Sequence, residues 1–219
     1  MKTTMIFAIS MLIAAFAAGQ NKVMDEIEII PPQLRYQQCH SINDYLRKNI
    51  KFPATENKYI CQGTVVVEFT VHPNSEVTDF TFINQVNNTV DNAVFRALQS
   101  TNGLWNPGYA DQIAVPMRKQ VSVLFYVDSM ENVIQLARNQ GNKANELLFI
   151  KNNPRKALRH YNRGMVYLPH ESNLLLGRAI CKERLGDPEG AKTDMEKALA
   201  YSNAFNAPEN EVVAIRVGK

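Results

Sequence analysis

Histidine and cysteine are too few, and too poorly spaced, to build a reactive or metal-binding site here. The four histidines, His40, His72, His160 and His170, share no metal-ligand spacing, and no two stand four apart on one helix. A glycine-rich phosphate loop and a nucleophile elbow are both missing. Cys39 adjoins His40, but neighbouring residues rarely turn their side chains toward each other, so the pair does not read as nucleophile and base. No catalytic residues, no metal, no cofactor and no small-molecule substrate are therefore expected. Charge is nearly balanced, with 9 basic against 11 acidic residues over 20–129 and 14 against 10 over 130–219. Without a basic cluster interleaved with stacking aromatics, nucleic acid is not an expected partner.

Long apolar runs are also missing, apart from one. Lys2 precedes an apolar stretch from Met5 to Ala18, interrupted by Ser10, that closes on the small residues Ala17 and Gly19. This pattern reads as a secretory signal peptide over 1–19, cut before Gln20. The stretch is short for a permanent membrane span, although an uncleaved anchor in the inner membrane is the alternative. The expected location is the periplasm or outside the cell after cleavage, and the inner membrane without it. In an oxidising compartment three cysteines leave at least one thiol over. Cys39 and Cys61 are either a disulfide, contributing roughly 3 kcal/mol by chain entropy, or two separate buried thiols. Cys181 falls in an apolar helical pattern and reads as core.

Residues 20–40, with Pro31 and Pro32 and little periodicity, read as an extended lead-in. From Ser41 to Lys51, Ile42, Tyr45, Leu46 and Ile50 recur at helical spacing, with Ser41 as N-cap and Pro53 as stop. Gly63 to Val71 alternates, placing Val65, Val67, Phe69 and Val71 on one face of a half-buried strand. The turn cluster His72–Ser75 predicts a hairpin with Val77 to Ile83. A helix over Asp91–Gln99, a loop around Trp105, Asn106, Pro107 and Gly108, and a last strand over Gln120–Val127 complete an α+β unit at 41–128. A lone Trp beside Pro107 and Gly108 reads as core or loop anchor.

From Met130 the β pattern gives way to helical spacing, and a repeat emerges. Ala157, Tyr161, Gly164 and Pro169 are followed by Ala191, Met195, Ala198 and Asn203, 34 residues later in each case. That period is one helix-turn-helix unit.

The order of several local patterns resembles the C-terminal domain of TonB-type energy transducers, in its shorter Bacteroidetes form. They are Tyr45, Leu46, Lys48, Asn49 and Ile50 leading into Phe52, Pro53 and Ala54; Gly63, Thr64, Val65, Val67, Phe69 and Val71; Asp91, Ala93, Arg96 and Ala97; Trp105, Pro107 and Gly108; and Val115 with Pro116. The resemblance implies two helices on a small antiparallel sheet, in the order helix, strand, strand, helix, strand. It departs at Phe52, where the transducers more often carry Tyr, and in having only about twenty residues between the apolar stretch and Ser41.

Residues 130–205 resemble two tetratricopeptide (TPR) hairpins. The second is the closer match, through Arg178, Ala179, Leu185, Gly186, Asp187, Ala191, Asp194, Lys197, Ala198 and Leu199. Arg178 and Asp194 recur in such arrays as a structural ion pair. The tail at 206–219, with Val212, Val213, Ile215 and Val217, is expected to cap the array as a short helix or extended segment.

By the TonB resemblance, the last strand offers a free edge, Gln120, Val121, Ser122, Val123, Leu124, Phe125, Tyr126 and Val127, to an added strand from another protein. The alternative is that this edge is covered by the first repeat helix or by a second copy in a homodimer. Arg155, Lys156, Arg159 and Arg163, at helical spacing, are either a receptor for an acidic partner or a solvated face. Asn87, Asn88 and Thr89 spell a glycosylation acceptor, idle in a bacterial host. The function these readings predict is an exported, non-catalytic adaptor that binds an envelope protein or peptide by strand addition and a second partner through the repeats. The alternative is an anchored energy-transducing component contacting a TonB-dependent outer-membrane receptor.

Overall fold

A computed structural model describes residues 27–36, 41–51, 57–203 and 212–217. The expected signal peptide, Cys39, and the motif residues Phe52 and Pro53 lie outside them.

The α+β part is built on strand β3 (Gly63–Val71), a nearly continuous β-branched run that is buried along both faces of its first half. It turns through His72–Glu76, where Ser75 takes a left-handed φ of 69°, and pairs antiparallel with β4 (Val77–Asn84). Two helices cover one face. Helix α1 (Ile42–Asn49) is started by Ser41, whose hydroxyl accepts from the Asp44 N–H. Helix α2 (Asn88–Gln99) is started by Asn87, whose side-chain oxygen accepts from both Thr89 and Val90. Their apolar stripes, Leu46 with Val90, Val94 and Leu98, bury Val65, Val67, Phe69 and Val71. At about 1.5–3 kcal/mol for each fully buried aliphatic side chain, this layer is the main source of cohesion in the unit.

Strand β8 (Met117–Tyr126) lies on the other side of β3, antiparallel, with Val65 facing Val123. The lead-in is not free. Strand β1 (Ile29–Ile30) pairs with β6 (Gly108–Ala110), which pairs with β7 (Ile113–Val115). Strand β2 (Gln33–Leu34) pairs with β5 (Trp105–Asn106), strapping the chain beside the Trp105 loop.

Four further helices follow: α3 (Met130–Asn145), α4 (Pro154–Tyr167), α5 (Ser172–Arg184) and α6 (Pro188–Asn203). A π turn over Glu146–Ile150 ends α3. The 34-residue period has a local cause. Asn152 and Gly186 both stand in the left-handed region, at φ 45° and 84°. The next residues, Asn153 and Asp187, each accept from an N–H three residues on, at Lys156 and Gly190. The same turn thus opens both second helices.

The tail corrects the sequence expectation. Instead of capping the helices, it returns to the sheet as strand β9 (Val212–Arg216), parallel to β8, giving the order β4-β3-β8-β9. Val213 is fully buried in the α+β core, and the Val217 N–H donates to the Tyr126 carbonyl at 2.7 Å. The helical hairpins therefore stand as an insertion between two neighbouring strands of one sheet.

The hairpins pack on the sheet face opposite α1 and α2. The Thr64 hydroxyl donates to the Tyr167 carbonyl at 2.6 Å, and the Asn84 amide bridges the Thr64 and Val166 carbonyls. Gly63 makes the approach feasible: its φ is 147°, and an added Cβ would stand 2.8 Å from the Val166 oxygen. Any side chain there would separate the two layers.

Candidate protein-binding groove

Small residues let α5 (Ser172–Arg184) pack against α3 at Gly141 and against α4 at Gly177. An added Cβ on Gly141 would meet Leu174 at 3.0 Å. On Gly177 it would fall inside contact distance of the Tyr161 ring. Tyr161 is held from both sides, since its hydroxyl donates to Asn145 Oδ1 at 2.6 Å. Burial, with a smaller push from Cys181, raises its pKa to about 12, so it remains a donor at neutral pH.

Helices α3 and α5 and the π turn enclose an open groove of about 590 Å³. Its apolar wall comprises Ile134, Phe149, Leu176 and Ile180, and the last three are 58%, 44% and 38% exposed. Arg138, Asn142, Asn145 and Asn173 supply polar groups along it. The cleft is thus mostly apolar, with a few amides, the Arg138 guanidinium and the Glu171 carboxylate along it.

The expected strand-addition edge is overturned. Ser122, Val123, Leu124, Phe125 and Tyr126 are each paired to β9, from Val212 to Arg216. Val127 lies just past the strand, and its carbonyl accepts from Arg216 Nε at 3.0 Å. At the other end, the Gln120 side chain is hydrogen-bonded to Tyr201 and Val121 is buried. The chain's own tail covers this edge from Ser122 to Tyr126. The opposite margin, β4, carries a register shift where Asp79 adopts φ 55°. A bulge of this kind spoils an edge for regular pairing.

Trp105 is an anchor, as read from sequence: it is buried against Phe69, and its indole N–H donates to the Thr101 hydroxyl at 2.9 Å. Gly108 lies against Met117 with no room for a side chain, and Pro107 joins these two short strands. Cys61 is a buried free thiol that accepts from the Asn87 amide at 3.4 Å. That amide also donates to the Ile60 carbonyl, so Asn87 is committed to structure. Cys181 is buried in the helical core, and its pKa is pushed up to about 11 by desolvation. Arg178 grips Asp194 with two 2.7 Å bonds, as the repeat pattern implies. Lys182 adds a third at 2.9 Å that the pattern did not reveal. Arg155, Lys156, Arg159 and Arg163 are all exposed on α4.

His170 sits where sheet and hairpins meet, 3.3 Å from the Ser122 hydroxyl, with its ring 4.4 Å from that of Tyr201. Burial lowers its pKa below the ordinary histidine value. The unfolded chain takes up this proton first on acidification, so the stability held by neutral His170 is present above about pH 6.5 and is lost as pH falls toward the depressed folded value. Denaturant titration of the wild type is expected to show a steeper loss from about pH 7 to about pH 5 than His170→Gln does. Equal slopes would remove His170 from that role.

None of the family models, curated proteins or solved structures compared with this chain matches it.

Proposed function

We propose that the protein is a non-catalytic adaptor of the cell envelope, in which a TonB C-terminal-like domain carries two TPR-like hairpins that bind a polypeptide segment between α3 and α5. The observation that carries this reading is the groove itself, a concave wall of half-exposed Phe149, Leu176 and Ile180 beside Arg138 and Asn142. The repeated turn at Asn152 and Gly186 and the two helices packed on β3 support the two halves of the assignment. Strand addition at β8 is not part of the proposal, because β9 holds that edge.

A photo-crosslinking residue at Leu176 is expected to capture a discrete envelope protein, whereas the same residue at Lys192 on α6 captures none. The double variant Leu176→Glu/Ile180→Glu, altered at exposed positions, should keep its helical signal and lose affinity for that protein by about tenfold or more. Equal capture from both sites, or unchanged affinity in the variant, would reject the groove as the binding site.

A further inference from the structure

The π turn at the end of α3 exposes two large apolar side chains, of which only Phe149 lines the groove. Ile150 is 78% exposed and lies outside the groove lining, and Phe149 beside it is 58% exposed. A buried or loosely packed turn would not hold them outward. This one is pinned: the Lys151 N–H returns to the Glu146 carbonyl, the Asn153 N–H returns to Leu147, and Arg184 Nη1 reaches across from α5 to Leu148 and Asn152.

Basic residues follow this apolar tip closely in the chain. Residues 130–167 carry seven basic against two acidic side chains, while 168–203 carry five against six. Lys151, Arg155 and Lys156 follow Ile150 directly, and Arg159 and Arg163 continue along α4. Glu146 is neutralised from two sides, by Lys143 at 2.9 Å and Lys151 at 2.6 Å. Among the described residues, Arg155, Lys156, Arg159 and Arg163 form no ion pair. Burial first, and then the charges of Arg163, Lys143 and Arg159, hold the His160 pKa down.

An outward apolar pair followed by a run of exposed cations has the chemistry of an interfacial anchor. The apolar tips enter the headgroup–acyl boundary while the cations meet anionic headgroups. We propose that the tip of the first helical hairpin, Phe149 and Ile150 with the exposed Lys151, Arg155, Lys156 and Arg159 that follow them, docks on a bilayer surface rich in anionic phospholipid. An acidic protein or polyanion would use the cations but would leave the protruding Ile150 without a role.

The test exploits the buried state of Trp105, the one native tryptophan, which is 1% exposed. The full chain carrying Ile150→Trp is mixed with vesicles of equal parts phosphatidylglycerol and phosphatidylcholine, and with vesicles of phosphatidylcholine alone. A blue shift and quenching by brominated acyl chains are expected only on the anionic vesicles, with Trp105 in the parent chain unresponsive. Co-flotation should weaken about tenfold or more at high salt, where charge attraction is screened. It should be lost in Arg155→Glu/Lys156→Glu/Arg159→Glu and reduced at least severalfold in Ile150→Asp, each variant keeping the wild-type circular dichroism. Equal binding to both vesicle types, no quenching at position 150, or flotation of Ile150→Asp equal to wild type would overturn the proposal. The last result, with heparin binding retained, would assign the basic face to acidic macromolecules instead.

Discussion

Asp194→Ala is expected to destabilise the helical hairpins by about 3–5 kcal/mol, the scale for removing one member of a buried ion cluster. The carboxylate side chain is 2% exposed and joins three bonds from two cations, Arg178 and Lys182. Burial alone would raise its pKa, but the hydrogen bonds and charges of those cations outweigh it, and the net shift is downward. Deleting the carboxylate leaves a guanidinium and an ammonium facing each other between α5 and α6 with nothing to balance them. Arg178→Ala is the milder change, because Lys182 still neutralises Asp194. Equilibrium unfolding followed by circular dichroism separates the two. A loss below about 1 kcal/mol for Asp194→Ala would mean that both cations reach solvent freely in the folded chain.

Val213→Asp should have an effect of similar size on the other half of the molecule. Val213 is fully buried beside Val123, in the cluster with Val65, Phe125 and Val217. A carboxylate there is desolvated without a partner, so the strand is expected either to leave the sheet or to cost at least about 4 kcal/mol. Its neighbour supplies the control: Val212 is exposed, and Val212→Asp should change stability by no more than about 0.5 kcal/mol. Limited proteolysis reads the difference directly, through new cleavage in β8 of the first variant alone. Identical proteolysis of both variants would show that β9 contributes nothing to holding β8.

The elements that local periodicity specifies are those the sequence predicted well. The helix expected over Ser41–Lys51 forms as Ile42–Asn49, and the alternation of Val65, Val67, Phe69 and Val71 marks the core face of β3. The 34-residue period is visible because the same turn chemistry, Asn152-Asn153 and Gly186-Asp187, recurs. Strand β9 was not legible. Its valines stand out in the tail, but a parallel partner joined through four intervening helices leaves no local mark on either strand. Without β9, the TonB-like pattern points to β8 as an open margin, whereas Ser122 to Tyr126 are paired on both sides. The groove was equally hidden. Leu176 and Ile180 look like ordinary helical core in one dimension, and only the stacking of α5 on α3 decides that they stay half exposed. The π turn carries no sequence signature at all, so Phe149 and Ile150 read as part of an apolar stripe until their exposure is known.

The return of the chain to β8 fixes an order of events during folding. The hairpins are made of near-neighbour contacts, the kind that form fast, whereas the fourth strand pairs Val212 with Ser122, distant in the chain, a contact of the kind that forms slowly. Until that pairing forms, a long, β-branched ribbon has an open flank, the kind of intermediate that attracts other nascent chains. Fast closure of the helical insertion is thus the molecule's own safeguard against clumping while it matures.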